Sequence, residues 1–254
     1  MTQLALVTGG CRRLGGGIAA RLARAGYALA IHGSHDARPD AELTAVLAET
    51  GAQWRGFVAD FTDPSAAAGL YGEVTQAFGR VPDLLVNGAS VFDQDRLDSV
   101  TSRGLADAFA VNCAAAVLLV QAFAAGGMTG GRSVVNILDQ RIVHPHPDQL
   151  AYTLAKLALA GFTRMPADGV RMNGVAPGLT LPTTDYDAAQ MAALARRMPL
   201  RVLPVPDAIG NAVLFCASTP SLSGQILFVD GGAHLVAFER DFMHLDEPSG
   251  TVGG

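Results

Sequence analysis

Tyr152 and Lys156 stand four residues apart at the start of a helical pattern, so their side chains lie on one face, one turn apart, and can share a ligand. A phenol ordinarily titrates near ~10, and a neighbouring ammonium favours its ionised form, which allows proton exchange near neutral pH. Such a pair is common by chance. Lys156, however, is the only lysine of the chain, and every other Lys/Arg position is arginine. A compact ammonium with a movable pKa stands where a planar fork would not serve. A second constellation opens the chain: the apolar run Leu4–Thr8 passes straight into Gly9-Gly10-Cys11-Arg12-Arg13-Leu14-Gly15-Gly16-Gly17. Glycine there lets a ligand approach the backbone, and the helix that follows aims N–H groups and its positive end at a phosphate. In a first strand–helix unit this points to a dinucleotide.

An acid after the second strand would accept the ribose hydroxyls of NAD and repel an added phosphate. That strand instead ends Ile31-His32-Gly33-Ser34, with no carboxylate until Asp36, while Arg12 and Arg13 offer charge to a ribose phosphate. NADP is therefore expected, with His32 and Ser34 at that end of its site. Asp60 suits either the adenine amino group or a turn in Asp60-Phe61-Thr62-Asp63. His144-Pro145-His146-Pro147 shows no third ligand, so a rigid wall of the substrate loop is expected and no metal.

These residues must be held by a scaffold. Short apolar runs at Leu4–Thr8, Tyr27–His32, Trp54–Ala59, Leu84–Asn87, Ser133–Leu138, Val170–Val175 and Ile226–Val229 read as buried strands. Helical patterns alternate with them at about 15–26, 40–50, 64–78, 102–125, 148–164, 186–197 and 206–217. The pattern predicts an α/β fold, one doubly wound parallel sheet of seven strands in a single domain over 1–235. Residues 236–254 read as a tail docked through Phe238, Phe242 and Met243, with its last turns frayed. A net charge of −5 without a basic stripe speaks against nucleic acid or an anionic membrane as partner and leaves a small molecule. Cys11, Cys113 and Cys216 are far apart and form no CxxC, as expected of reduced core thiols in a cytoplasmic protein. Leu4–Val7 is too short for a signal-peptide core, and Asn112 and Gln121 interrupt the most apolar helix, which is expected to be buried rather than to span a membrane.

Thr8-Gly9 through Gly15, Asn87-Gly88-Ala89, Asn112, Tyr152-xxx-Lys156 and Pro177-Gly178 together resemble, in order and spacing, the short-chain dehydrogenase/reductases, over residues 3–235. The resemblance implies a Rossmann-type sheet, a nicotinamide cofactor, hydride transfer and a homo-oligomer, usually a tetramer. It makes Tyr152 the proton donor, with Lys156 binding the nicotinamide ribose and lowering the Tyr152 pKa. It has Asn112 hold a water that relays protons to Lys156. Gly9, Arg12, Arg13, Leu14, Gly15, Asn87, Ala89, Pro177, Gly178 and Thr180 would meet the cofactor, Thr180 near the nicotinamide amide. Two departures narrow it: Arg13 replaces the loop's middle glycine, and Asp139 stands where the family carries a serine thirteen residues before the tyrosine. Both, with Ser90 and Phe92, resemble the pteridine reductases. There the arginine and serine meet pterin and cofactor phosphate, the phenylalanine stacks on the pterin, and the aspartate lies beside the tyrosine. Phe92 by itself is as readily a core residue. Thr163–Arg171 is short and Pro166 stops the preceding helix, which leaves homotetramer and homodimer both open. The expected activity is NADPH-dependent reduction of a pterin ring C=N bond, dihydro to tetrahydro, as in dihydromonapterin or dihydrobiopterin, with folate as a further candidate substrate. The alternatives are a short-chain ketone reductase and, in another class, a catalytically silent dinucleotide-binding scaffold or sensor.

Overall fold

The strands Leu4–Thr8, Ala28–Gly33, Leu84–Asn87 and Ser133–Ile137 are buried along their whole length and are covered on both faces, whereas Trp54–Val58, expected to be buried, lies at the sheet edge and is largely exposed. A computed structural model describes residues 2–63, 65–127, 131–167, 169–182 and 187–245. The strands are β1 (Leu4–Thr8), β2 (Ala28–Gly33), β3 (Trp54–Val58), β4 (Leu84–Asn87), β5 (Ser133–Ile137), β6 (Arg171–Pro177) and β7 (Ile226–Val229). All neighbouring pairs are parallel, in the order β3-β2-β1-β4-β5-β6-β7. The helices are α1 (Arg13–Arg24), α2 (Ala41–Thr50), α3 (Ser65–Phe78), α4 (Ser102–Phe109), α5 (Ala115–Ala125), α6 (Leu150–Thr163), α7 (Ala188–Arg197) and α8 (Pro206–Ser218).

Alternate strand residues feed opposite faces. Val7, Ile31 and Val86 pack with Ile18, Leu43 and Ile209 from α1, α2 and α8. Leu6, Leu85 and Val134 pack with Leu70, Leu119 and Phe123 from α3 and α5. The order reverses between β1 and β4, and beyond the carboxyl ends of these strands opens the crevice in which such sheets hold ligands.

The expected single helix 102–125 is divided. A π-helical turn, Ala110–Ala114, separates α4 from α5, because Asn112 Nδ2 donates to Ala108 O (3.0 Å) and to Val91 O (3.0 Å) and disturbs the regular ladder. By length and composition Ser102–Ala125 is apolar enough to cross a membrane, yet it carries Leu119, Val120 and Phe123 of the core beneath the sheet. α6 ends at Thr163, ahead of Pro166, and β6 runs on to Pro177, two residues beyond the expected end. The three cysteines are buried free thiols. The expected helix start at 186 and the tail from 246 onward lie outside the described residues.

Candidate active site

The first side of the crevice is built from backbone. Thr8 Oγ1 accepts from Gly88 N (3.0 Å) and Ala89 N (3.1 Å), clamping the end of β4 to that of β1. Gly9 sits at φ +64°, and a Cβ there would lie 2.9 Å from Ala89 Cα; a Cβ on Gly15 would lie 2.0 Å from Gly9 O. Only glycine fits either place. Asp40, Thr101 and Asp187 cap α2, α4 and α7, whereas α1 has no side-chain cap and no acid in its first turn. Its leading N–H groups and positive end are thus left for an anion, which fits a dinucleotide phosphate. Arg12 and Arg13 are exposed on the same loop. Arg13 adopts φ +52°, the left-handed region that glycine favours, and its Nη2 donates to Pro182 O (3.3 Å).

Three residues expected at the adenosine end lie off the cleft lining. His32 is buried; its Nδ1 accepts from Gly9 N (3.2 Å), its Nε2 donates to Ala59 O (2.9 Å) and its ring stacks on Phe61 at 4.3 Å. The two backbone partners fix the tautomer, burial lowers the imidazole pKa, and the ring braces the glycine loop from beneath without lining the cleft. Asp60 Oδ1 accepts from Thr62 N (3.0 Å) and Thr62 Oγ1 (2.8 Å), so its carboxylate serves the turn. Ser34 is exposed and also lies off the cleft lining. Nearby, Asp36 pairs with Arg38 at 3.7 Å, which offsets the first acid after β2.

The second side is built from buried side chains around a cleft of about 460 Å³, which Gly9, Arg12, Arg13, Leu14, Gly15, Ser90, Phe92, Asp139, Tyr152, Lys156, Pro177, Gly178 and Thr180 line together. Tyr152 Oη donates to Asp139 Oδ2 (3.0 Å) and Lys156 Nζ donates to Ile137 O (2.8 Å). Asp139 caps the 3₁₀ turn Gln140–Ile142: its Oδ1 accepts from Arg141 N (2.9 Å) and Arg141 Nε (3.2 Å). Phe92 is 42% exposed and meets the Tyr152 ring edge-on at 4.8 Å, so it is a cleft residue and not a core one. Thr180 Oγ1 donates to Gly178 O (2.9 Å) at the end of β6.

Burial, and then the Asp139 carboxylate, push the Tyr152 phenol well above its ordinary range. Burial lowers Lys156 to about 8, against the pull of Asp139. The net direction for the protein without cofactor is upward, because burial and the carboxylate outweigh the lowering pull of Arg141. Asn112 is buried, with its amide given to Ala108 and Val91 and its Oδ1 accepting from Ser90 Oγ (2.6 Å) and Val91 N (3.1 Å). It anchors the Ser90–Val91 loop and, like Asn87 and Ala89, lies outside the cleft lining. Asn87 Nδ2 donates to Asn136 Oδ1 (2.8 Å), and its own buried Oδ1 has no partner.

Sequence reasoning missed Arg141, Gln149 and Asp241. Arg141 is buried with its guanidinium 5.2 Å from the Phe92 ring centre and 5.1 Å from that of Tyr152. An arginine two residues after an aspartate in the serine's place was the available signal. The tail segment docks chiefly through charge, Arg240 on Asp148 and Asp241 on Arg141, and it sets Phe242 and Met243 into the cleft wall. Phe238 packs edge-on against Phe242 at 5.1 Å. That wall replaces the one expected from residues 144–147: His144 is exposed, His146 is buried behind the site, and neither lines the cleft. Among the described residues no three His, Cys, Asp or Glu side chains group as metal ligands.

An open parallel sheet, an uncapped helix behind a glycine loop at its reversal point, and a Tyr–Lys couple across the crevice define a Rossmann-type oxidoreductase. Residues 11–234 match the family model described as enoyl-(acyl carrier protein) reductase, and the chain belongs to this family of short-chain dehydrogenase/reductases, oxidoreductases that use NAD(P). An uncharacterized oxidoreductase of Mycobacterium tuberculosis is 35% identical over 245 residues, 91% of each chain. Carbonyl reductase family member 4 of Danio rerio is 28% identical over 93% of this chain and 100% of its own. Among solved structures, FolM alternative dihydrofolate reductase 1 of Brucella suis, in complex with NADP, is 30% identical with a TM-score of 0.81, covering 95% of this chain and 98% of its own.

Proposed function

We propose that the protein is an NADPH-dependent reductase of a C=N bond in a pterin ring, taking a dihydropteridine to the tetrahydro form. The observation that carries this reading is the 3.0 Å hydrogen bond from Tyr152 to Asp139, a carboxylate where a ketone reductase of this family uses a hydroxyl, with Phe92 edge-on beside it. The FolM relative, solved with NADP, supports both halves of the reading.

Gly9, Gly15 and the head of α1 would hold the cofactor pyrophosphate, Arg12 and Arg13 the ribose phosphate, and Lys156 the nicotinamide ribose. When bound, NADPH supplies a hydride, two electrons and one proton's worth of hydrogen, to the ring carbon. The ring nitrogen then needs one proton. Tyr152 holds that proton, because burial and Asp139 keep the phenol neutral at working pH. Phe92 offers a flat face that limits the tilt of a planar heterocycle, and so sets its distance and the side attacked. Arg141 and Lys156 are the two cations that offset the charge left on the phenol oxygen after transfer. Solvent returns the proton to Tyr152.

The kinship to carbonyl reductase family member 4 favours a second reading, reduction of a ketone. NADPH oxidation measured with dihydrobiopterin, dihydromonapterin, dihydrofolate and a panel of ketones decides between them. Turnover on dihydropterins at least tenfold above any ketone is expected, and the reverse ranking overturns the proposal.

A further inference from the structure

The buried charge behind Tyr152 does not end at Asp139. Arg141 commits each guanidinium nitrogen: Nε to Asp139 Oδ1 (3.2 Å), Nη1 to Gln149 Oε1 (2.9 Å) and Nη2 to Asp241 Oδ2 (2.9 Å). The side chains of Arg141 and Asp241 are 6% and 7% exposed, so this is a closed ionic group. Gln149 is held in turn, donating from Nε2 to Gln94 Oε1 (2.6 Å). Asp241 comes from a segment one hundred residues further along the chain, and that segment is stapled down. Its own N–H donates to Asp148 Oδ2 (2.9 Å), and Arg240 Nε donates to both Asp148 oxygens (3.2 and 2.8 Å). Arg96 faces the same carboxylate at 3.6 Å. His146 lies 3.9 Å from both Asp148 and Asp241 with its Nδ1 unpartnered, and burial, followed by the nearby Arg141, keeps its pKa low.

An arginine fork prefers to grip one carboxylate with two parallel N–H groups. Arg141 does not do so with Asp139, because Asp241 holds Nη2 on the other side. The consequence is a divided carboxylate: Asp139 Oδ1 faces Arg141, and Oδ2 is left to accept from Tyr152. Without Asp241 the fork is free to turn and take both oxygens of Asp139, which removes the acceptor that orients the phenol. Asp241 Oδ1, meanwhile, accepts from Met243 N (3.0 Å) and sets the turn that carries Phe242 and Met243 into the cleft wall.

We propose that Asp241 is a positioning residue for the reaction: by holding Arg141 it keeps Asp139 on the Tyr152 hydroxyl, so the proton donor is assembled only while the segment Arg240–Met243 is docked. This rests on Tyr152 and Asp139 being the acid–base pair of the function proposed above, and the test separates the two. In the full-length chain with NADPH bound, Asp241→Asn keeps shape and removes charge. Turnover on the best dihydropterin should fall at least tenfold with the NADPH Kd within twofold, and Asp241→Glu should restore part of it. The second readout needs no substrate. With fluorotyrosine incorporated, and the Tyr152 fluorine resonance assigned through Tyr152→Phe, the phenol should titrate lower in Arg240→Gln, which keeps the Asp241 charge and loosens its segment, by on the order of one pH unit as the Asp139 carboxylate withdraws; Asp241→Asn should lower it further, since the Asp241 charge itself raises the phenol. Among the described residues, Asp139, Asp241, Arg141 and Lys156 are the charged groups facing that phenol, with His146, Asp148, Arg240 and Arg96 behind them. A folded Asp241→Asn with parental turnover and parental Tyr152 titration overturns the inference. Whether or not Asp241→Asn folds, Arg240→Gln, which leaves Arg141 untouched, must move the titration downward, and no movement overturns it. Absence of dihydropterin turnover in the parent protein refutes the substrate assignment alone, since the titration still decides the role of Asp241.

Discussion

The two sides of the crevice solve opposite problems. The glycine-loop side presents backbone N–H groups at the head of α1, uncapped and open, with its cations Arg12 and Arg13 on the surface. The Asp139 side is closed: its carboxylates and its arginine are spent on one another and on Tyr152 beneath the surface. A cofactor must arrive and leave, so its donors have to be left unspent. On the function proposed above, the proton donor must keep one orientation and one protonation state, which a satisfied buried network enforces. What separates the two sides is the state of their hydrogen bonds: the head of α1 has no side-chain cap, whereas Asp139, Arg141 and Asp241 are bonded to one another and to Tyr152.

The sharpest break of this comparison is Arg141→Leu. It strands Asp139 and Asp241 without their shared cation and should cost roughly 3–5 kcal/mol of stability by urea unfolding, whereas Arg13→Ala on the open side should stay within about 1 kcal/mol. Equal costs would erase the distinction. Tyr152→Phe removes the donor and little else. kcat should drop about 100-fold or more while the NADPH Kd stays within a few-fold, and turnover near the parent's would place the acid elsewhere.

Phe92→Ala tests the platform. Pterin binding should weaken by ~1–3 kcal/mol, by analogy with aromatic stacking on nucleobases, with NADPH affinity kept, because the ring is half-exposed in the cleft rather than packed in the core. Severe unfolding would make it a core residue after all. A pH series adds Lys156, whose pKa burial lowers to about 8. The ammonium is present below that value and lost above it, so kcat/KM for NADPH should decline as pH rises through about 8. The same shift has a stability sign: between about 8 and 10.5 the unfolded chain binds more protons at this lysine, so its contribution to stability rises with pH in that window. The smallest expected effect is Arg13→Gly at φ +52°. Relief of left-handed strain and the entropy of glycine nearly cancel, leaving stability unchanged or raised by up to about 1 kcal/mol. NADPH should bind more weakly and its advantage over NADH should shrink; unaltered selectivity would move that task to Arg12.

How much of this was legible follows from how local each feature is. β1, β4 and β7 end where their apolar runs end, and the loop from Gly9 to Gly15 announces itself, because turn geometry and close approach are demands on consecutive residues. Tyr152 and Lys156 are one helical turn apart, again a local fact. The break at Ala110–Ala114 was not legible, since the carbonyls that Asn112 competes for belong partly to Val91 on another segment. His32 offered two readings, cofactor contact or brace, and only the position of Gly9 and Ala59 around it decides.

The alternation of strands and helices, the glycine loop and the Tyr152–Lys156 couple are all readable from local patterns and spacings in the chain. The packing of the chain settles how Arg141 is shared between Asp139 and Asp241, so that Asp241 of an apparent tail is joined through Arg141 to the carboxylate that accepts from Tyr152, and it leaves His146 off the cleft lining. The reason is physical. Periodicity records which face of an element is buried, whereas a buried ion group is completed by residues one hundred positions apart whose meeting depends on how every intervening helix packs.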